Sequence, residues 1–215
     1  PAFSERFYVC YLAGGLSDVL DGIAARHLGK ETKFGITLDN LDEIKAIAGR
    51  YNLTIAGINQ HIGSLFLDGE KYLSSIDILF DFCKNFKELD FIDLGGGFGI
   101  PYQKGVSGLD LDELGKKIMS AIEKFNAEYG RKIQFRVEPG RYVPVESSCL
   151  LGKVMAIKNN YGRTYVGTDI GFNVLIRPVL YDSYHEVELY RDGKLVEETN
   201  GNIPTIVGNI CESGD

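Results

Sequence analysis

No basic tract interleaved with aromatic residues runs through this 215-residue chain, and its net charge is −7, which argues against a nucleic-acid partner. No apolar stretch approaches the roughly 20 residues that span a bilayer, and no signal peptide is visible at the start. Because the chain opens on Pro1 and not on methionine, the true N-terminus is expected to be missing. Cys10, Cys83, Cys149 and Cys211 are widely spaced and form no C-x-x-C pair. With only His27, His61 and His185 beside them, no metal-ligand spacing arises. Reduced thiols in a cytoplasmic setting are the simplest expectation. There is no internal repeat and no low-complexity tract. What remains is the composition of an ordinary globular protein, 44% hydrophobic and 25% charged, long enough for one domain or two small ones.

From Leu38 the chain alternates regularly. Leu41, Ile44 and Ile47 recur at helical spacing behind Asp39 or Asn40 as N-cap. Leu53–Ile58 reads as a strand ending at Gln60-His61-Ile62-Gly63-Ser64, and Leu73, Ile76, Phe80, Cys83 and Phe86 mark the next helix. A second strand from Phe91 runs into Gly95-Gly96-Gly97-Phe98-Gly99. The next helix carries Leu111, Leu114, Ile118, Ile122 and Phe125, and Ile133–Val137 is a third strand that stops at Glu138-Pro139-Gly140-Arg141. Such alternation implies parallel pairing through right-handed crossovers, with ligands beyond the carboxyl ends of the strands. All three strands end in polar or glycine-rich segments, which converge on one pocket. The first 32 residues are the least legible, with a strand at Phe7–Cys10 and a helix at Ser17–Ala25 as the readings.

After Arg141 the texture changes. Cys149–Lys158, Arg163–Asp169, Glu186–Tyr190, Lys194–Glu198 and Ile203–Val207 read as successive strands, with turn signals at Asn159-Asn160, Asp192-Gly193 and Asn200-Gly201. The expected fold class is therefore α/β followed by all-β, with domains 1–145 and 146–215.

Five segments can carry chemistry. Glycines after a strand leave backbone N–H groups that an anion can approach closely, so Gly95-Gly96-Gly97 reads either as a phosphate cradle or as a ligand-free turn. It is not a dinucleotide fingerprint, because Pro101 disfavours the helix that must come at once. His61 can stack on an aromatic cofactor and Ser64 can donate to a phosphate, or the pair is a core histidine and a helix-capping serine. Glu138 can hold a pyridinium N–H and Arg141 can clamp a phosphate or carboxylate, or the two form a structural ion pair. Arg177 and Tyr181 lie on an expected loop, where Tyr184 and His185 can simply pack, and Cys211-Glu212-Ser213-Gly214-Asp215 is by spacing alone a solvated turn.

In this order, the segments His61–Ser64, Asp93–Tyr102, Glu138–Arg141, Asp169–Glu186 and Val207–Asp215 resemble the fold-type III pyridoxal phosphate decarboxylases, and Thr32–Ile36 also looks like that family. The terminal Cys-Glu-Ser-Gly-Asp is similar to the branch acting on diaminopimelate; ornithine-type relatives usually carry aspartate where Glu212 stands. The resemblance implies a partial (β/α)8 TIM-type barrel of the alanine racemase type, followed by a β-sandwich or barrel domain. It implies pyridoxal 5′-phosphate as cofactor, a small amino-acid substrate, and a homodimer with shared active sites. By the resemblance, His61, Ser64, Gly95, Gly96, Gly97 and Glu138 bind the cofactor, and Arg141, Arg177, Tyr181 and Glu212 bind the substrate. The same resemblance implies that Cys211 is catalytic, near the reacting carbon of the neighbouring subunit's site. The family's cofactor-anchoring lysine has no matching segment: no lysine follows Tyr8–Tyr11, and Lys30 and Lys33 precede a different motif. The chain is therefore read as the later part of a barrel plus much of the β domain, truncated or with segments missing between Cys10 and Lys30. Decarboxylases of ornithine, arginine or carboxynorspermidine, and a non-catalytic homologue, are the competing expectations.

Overall fold

A computed structural model describes residues 36, 38–196 and 203–215. The strand and helix expected within the first 32 residues, the segment 32–35, the turn at Asn200-Gly201 and the end of the strand expected at 194–198 lie outside the described residues. These residues divide into two compact units, one covering 36–100 and 107–146, the other 101–106 and 147–215.

The first unit runs α1 (Leu41–Arg50), β1 (Gly57–Asn59), α2 (Gly69–Cys83), β2 (Phe91–Gly96), α3 (Leu111–Tyr129) and β3 (Gln134–Glu138). Its three strands pair in parallel in the order β1-β2-β3. The helix boundaries arise from the sequence. Asp68 caps α2 by accepting the Glu70 N–H, and Asp110 caps α3 by accepting the Glu113 N–H, both at 2.9 Å. Gly130 ends α3 in the left-handed conformation at φ +79°. α1 differs from expectation: Asn40 precedes it without a side-chain cap, because Leu38–Asn40 form a turn of 3-10 helix that feeds into it. β1 is also shorter than expected, since 53–56 lie outside it, although the Ala56 carbonyl already accepts from the Asp90 and Phe91 N–H groups.

Period-two alternation divides the sheet into two faces. Ile58, Ile92 and Leu94 point into the core with Ile76, Leu79 and Phe80 of α2 and Ile122 and Phe125 of α3. Each such side chain contributes roughly 1.5–3 kcal/mol of apolar transfer. Cys83 joins this core, and burial pushes its thiol pKa up, so it stays protonated. On the opposite face the Phe91 ring lies over Gly57, where a Cβ would come within 2.2 Å of it, and the Arg136 guanidinium stacks on that ring at 4.0 Å.

The second unit contains β4 (Val154–Asn160), β5 (Arg163–Thr168), a one-turn α4 (Arg177–Tyr181), β6 (Tyr190–Arg191), β7 (Lys194–Leu195) and β8 (Thr205–Val207). β5 lies between antiparallel β4 and parallel β8. The β4–β5 turn falls at Tyr161-Gly162, both at positive φ, which matches the right-handed twist of a hairpin. Asn159 and Asn160 are instead the last two residues of β4. Asp192-Gly193 makes the same kind of turn between β6 and β7, as expected. Three further differences are local: 149–153 precede the strand, 186–189 precede β6 outside any strand, and Arg177–Tyr181 is helical because Pro178 fits a helix's first turn. The unit is thus a set of short strands with one helical turn.

Replacing Ile92, fully buried in the central strand, by alanine is expected to cost about 2–5 kcal/mol. Asp110→Ala, which removes a cap, is expected to cost about 1 kcal/mol. Urea unfolding of the two variants checks both the magnitudes and their order.

Candidate functional site

Three backbones meet where β1, β2 and β3 end. A Cβ on Gly95 would come within 2.0 Å of the Gln60 carbonyl oxygen, and one on Gly96 within 2.0 Å of the Glu138 carbonyl oxygen. A Cβ on Gly97 would lie 2.4 Å from the Gly63 oxygen. Gly95 and Gly97 also take positive φ, +73° and +93°, which other residues adopt at a cost. Glycine is required here for two reasons, contact and conformation.

The connector after β1 wraps around this turn. Phe66 N–H donates to Gly97 O at 3.1 Å and Gly99 N–H to Phe66 O at 2.9 Å, so 97–99 pair with Phe66 in a short parallel bridge. Leu65, between Ser64 and that bridge, is held at φ +63°. A leucine there stores roughly 1–3 kcal/mol of backbone strain, a feature that clusters at functional sites.

His61 and Ser64 are both exposed, on the connector against Gly95–Gly97. His61 is therefore not a core histidine, and Ser64 is not the cap of α2, a role that Asp68 fills. Glu138 ends β3 beside Gly96 and is exposed. It does not pair with Arg141; the Gly140 N–H closes the turn onto the Glu138 carbonyl at 2.8 Å. Arg141 is half-buried, and its Nη1 atom is buried without a hydrogen-bond partner among the described residues. A turn that any Cβ would fill, the exposed Ser64 hydroxyl and the exposed Glu138 carboxylate suit a phosphate-bearing pyridine, and the unpartnered Arg141 nitrogen suits a carboxylate.

Sequence reasoning missed the polar layer beneath the turn. Gln60, Tyr72, Ser75 and Asp93 are all buried, and Asp93 Oδ1 accepts the Gly95 N–H at 2.9 Å. Tyr72 stacks on Phe66 with ring centroids 4.9 Å apart and meets Phe98 at a tilt with centroids 5.1 Å apart. Burial, then the nearby Asp93 and Glu138 carboxylates, push the Tyr72 phenol pKa up, so it remains a hydrogen-bond donor. A glutamine one residue past a strand, with a tyrosine and a serine three apart on the buried face of α2, was the available signal.

In the second unit, Arg177 and Tyr181 sit on α4, with the guanidinium 5.4 Å from the phenol ring and its Nη2 donating to Ser183 Oγ at 3.1 Å. The Arg177 Nε atom is buried without a hydrogen-bond partner among the described residues. Cys211 and Glu212 are exposed, on a segment anchored by Asp215. The Asp215 carboxylate fits a notch between Gly171 and Gly208 and accepts the Phe172 and Ile210 N–H groups. Gly214 stands against Val179, which brings this segment alongside α4.

Among the described residues no helix is long and apolar enough to cross a membrane, and no cluster of His, Cys, Asp and Glu could hold a metal ion.

The chain matches the family model "Pyridoxal-dependent decarboxylase, pyridoxal binding domain" over residues 21–144. It is 37% identical over 197 residues to a diaminopimelate decarboxylase of Methanothermobacter thermautotrophicus, covering 87% of this chain and 44% of that protein. The corresponding enzyme of Escherichia coli is 31% identical over 192 residues, covering 87% and 45%. A crystal structure of diaminopimelate decarboxylase superposes with a TM-score of 0.78 at 31% identity, covering 85% of this chain and 44% of that one. The Helicobacter pylori enzyme complexed with L-lysine gives 0.70 at 29%, covering 86% and 45%. The chain thus spans less than half the length of these relatives.

Asp215→Ala leaves two backbone donors without their acceptor. Amide exchange at Phe172 and Ile210 is expected to accelerate about tenfold or more in the full-length protein, measured by hydrogen–deuterium exchange.

Proposed function

This chain belongs to the pyridoxal-dependent decarboxylase family, and from that premise we propose that its full-length protein converts meso-2,6-diaminopimelate to L-lysine with pyridoxal 5′-phosphate. The observation that carries the cofactor is the glycine turn wedged between the His61 connector and Glu138 at the carboxyl ends of parallel strands. The three strands and their helices are one arc of a (β/α)8 barrel, and the second unit is part of the β domain that comes after it.

Each residue then has a task. The Gly95–Gly97 backbone and Ser64 hold the phosphate, and His61 stacks on the ring. Glu138 accepts the N–H of the pyridine nitrogen and keeps that nitrogen protonated. When bound, the cofactor supplies an electron sink for the pair released with carbon dioxide. Arg141, Arg177 and Tyr181 bind the substrate's distal carboxylate and Glu212 its distal ammonium. Cys211 Sγ manages the proton that replaces the lost carboxylate. Both charges of a distal amino-acid group need a partner, and diaminopimelate has both, whereas the distal end of ornithine is only cationic. Glu212 in the terminal motif supports the same choice. Active sites shared across a homodimer, with Cys211 and Glu212 serving the neighbouring subunit, complete the reading, and the setting is cytoplasmic.

The full-length protein assayed against diaminopimelate, ornithine, arginine and carboxynorspermidine is expected to release carbon dioxide from the first alone; turnover of ornithine alone overturns the assignment. Cys211→Ala is expected to lower kcat by about 10²–10⁴-fold while cofactor absorbance is retained.

A further inference from the structure

The ladder of β2 is irregular where the strand leaves the sheet, its pairing with β3 shifting register between Asp93 and Gly96. Gln60 N–H donates to Asp93 O at 3.1 Å, and the next backbone link is Phe66 N–H to Gly97 O. In the gap the Leu94 carbonyl is taken up by side chains, the Tyr72 hydroxyl at 3.0 Å and Gln60 Nε2 at 3.3 Å. The other end of the same peptide group, the Gly95 N–H, donates to Asp93 Oδ1 at 2.9 Å. Ser75 fixes the donors in turn: its Oγ accepts from Gln60 Nε2 at 3.2 Å and donates to Tyr72 O at 2.6 Å. Exposure is 1% at Gln60, 0% at Tyr72, 3% at Ser75 and 8% at Asp93.

A regular strand pair satisfies its carbonyls through its own backbone, so burying four polar side chains for one peptide calls for a reason. The glycine turn supplies it. Gly95, Gly96 and Gly97 have no Cβ to restrain rotation, and a glycine peptide flips readily between orientations. Turning the Leu94–Gly95 plane would redirect the N–H groups after it. Three hydrogen bonds on one peptide plane prevent that, at the point where the turn leaves the strand.

Resting on the phosphate reading of the glycine turn, we propose that Tyr72, Gln60 and Asp93 are positioning residues that lock the Leu94–Gly95 peptide plane, so that the turn's N–H groups face the cofactor phosphate before it arrives. They touch neither cofactor nor substrate. Their contribution is preorganisation, which tightens binding by removing a reorganisation step. It acts on the phosphate alone.

The test uses the full-length protein stripped of cofactor and titrated with pyridoxal phosphate and with pyridoxal, which lacks the phosphate. Tyr72→Phe keeps the ring against Phe66 and Phe98. It is expected to weaken pyridoxal phosphate about fivefold, leave pyridoxal unchanged, and accelerate ligand-free amide exchange over Gly95–Phe98. Asp93→Ala is expected to do the same, and Asp93→Asn, which keeps an acceptor oxygen, to restore phosphate selectivity to within about twofold. Equal loss for both ligands, or no change in affinity and exchange, overturns the positioning role while the cofactor reading stands. An unsubstituted protein that binds the two compounds equally overturns the phosphate reading itself, and the positioning role with it.

Discussion

Three strand ends held backbone to backbone set what this part of the molecule can do. Gly95, Gly96 and Gly97 each stand where a Cβ would collide with a carbonyl oxygen, of Gln60, Glu138 and Gly63 respectively. These contacts bring the connector after β1 and the end of β3 to either side of β2. A single methyl group in the turn would force the connector or β3 away, and the exposed His61, Ser64 and Glu138 would separate with them. The apolar face, with Ile58, Ile92 and Leu94 against α2 and α3, supplies the stability that holds the ends in register. Helices on that face leave the other for polar groups, and the strand ends are where backbone donors become available.

The two units solve the problem of holding an exposed polar segment in different ways. Beneath the glycine turn, buried Asp93, Gln60 and Tyr72 hold one peptide from within. In the second unit a single carboxylate, Asp215, reaches into a notch that only Gly171 and Gly208 leave open, and so orders the segment carrying Cys211 and Glu212. In both, glycine supplies the space and a short acidic side chain accepts from backbone N–H groups. His61, Ser64, Glu138, Cys211 and Glu212 stay exposed, which suits groups that must meet a ligand. The residues that place them are tied down.

Much of the first unit was legible in the sequence because its signals are local. Apolar spacing in α2 and α3 marks the helices, and the strands lie between them, while the caps at Asp68 and Asp110 and the stop at Gly130 emerge from the structure. The glycine run could be placed at a strand end, but the reason for each glycine could not, since in all three cases the colliding atoms belong to residues 34 or more positions away. Tyr72 read as one more core residue because its hydroxyl partner, the Leu94 carbonyl, lies 22 residues on. The second unit was less legible. Its strands are two to seven residues long, and two consecutive asparagines resemble a turn that the chain makes two residues later, at Tyr161-Gly162. Asp215 gave no signal of its role, because Phe172 is 43 residues away.

The central claim is that the turn at Gly95–Gly97 receives the phosphate of pyridoxal phosphate. A crystal structure of the full-length protein with the cofactor bound tests it most directly. The account predicts phosphate oxygens about 3 Å from backbone nitrogens of the turn, with the Glu138 carboxylate at the pyridine nitrogen. A phosphate seated elsewhere, with the glycine turn facing only protein, would contradict it.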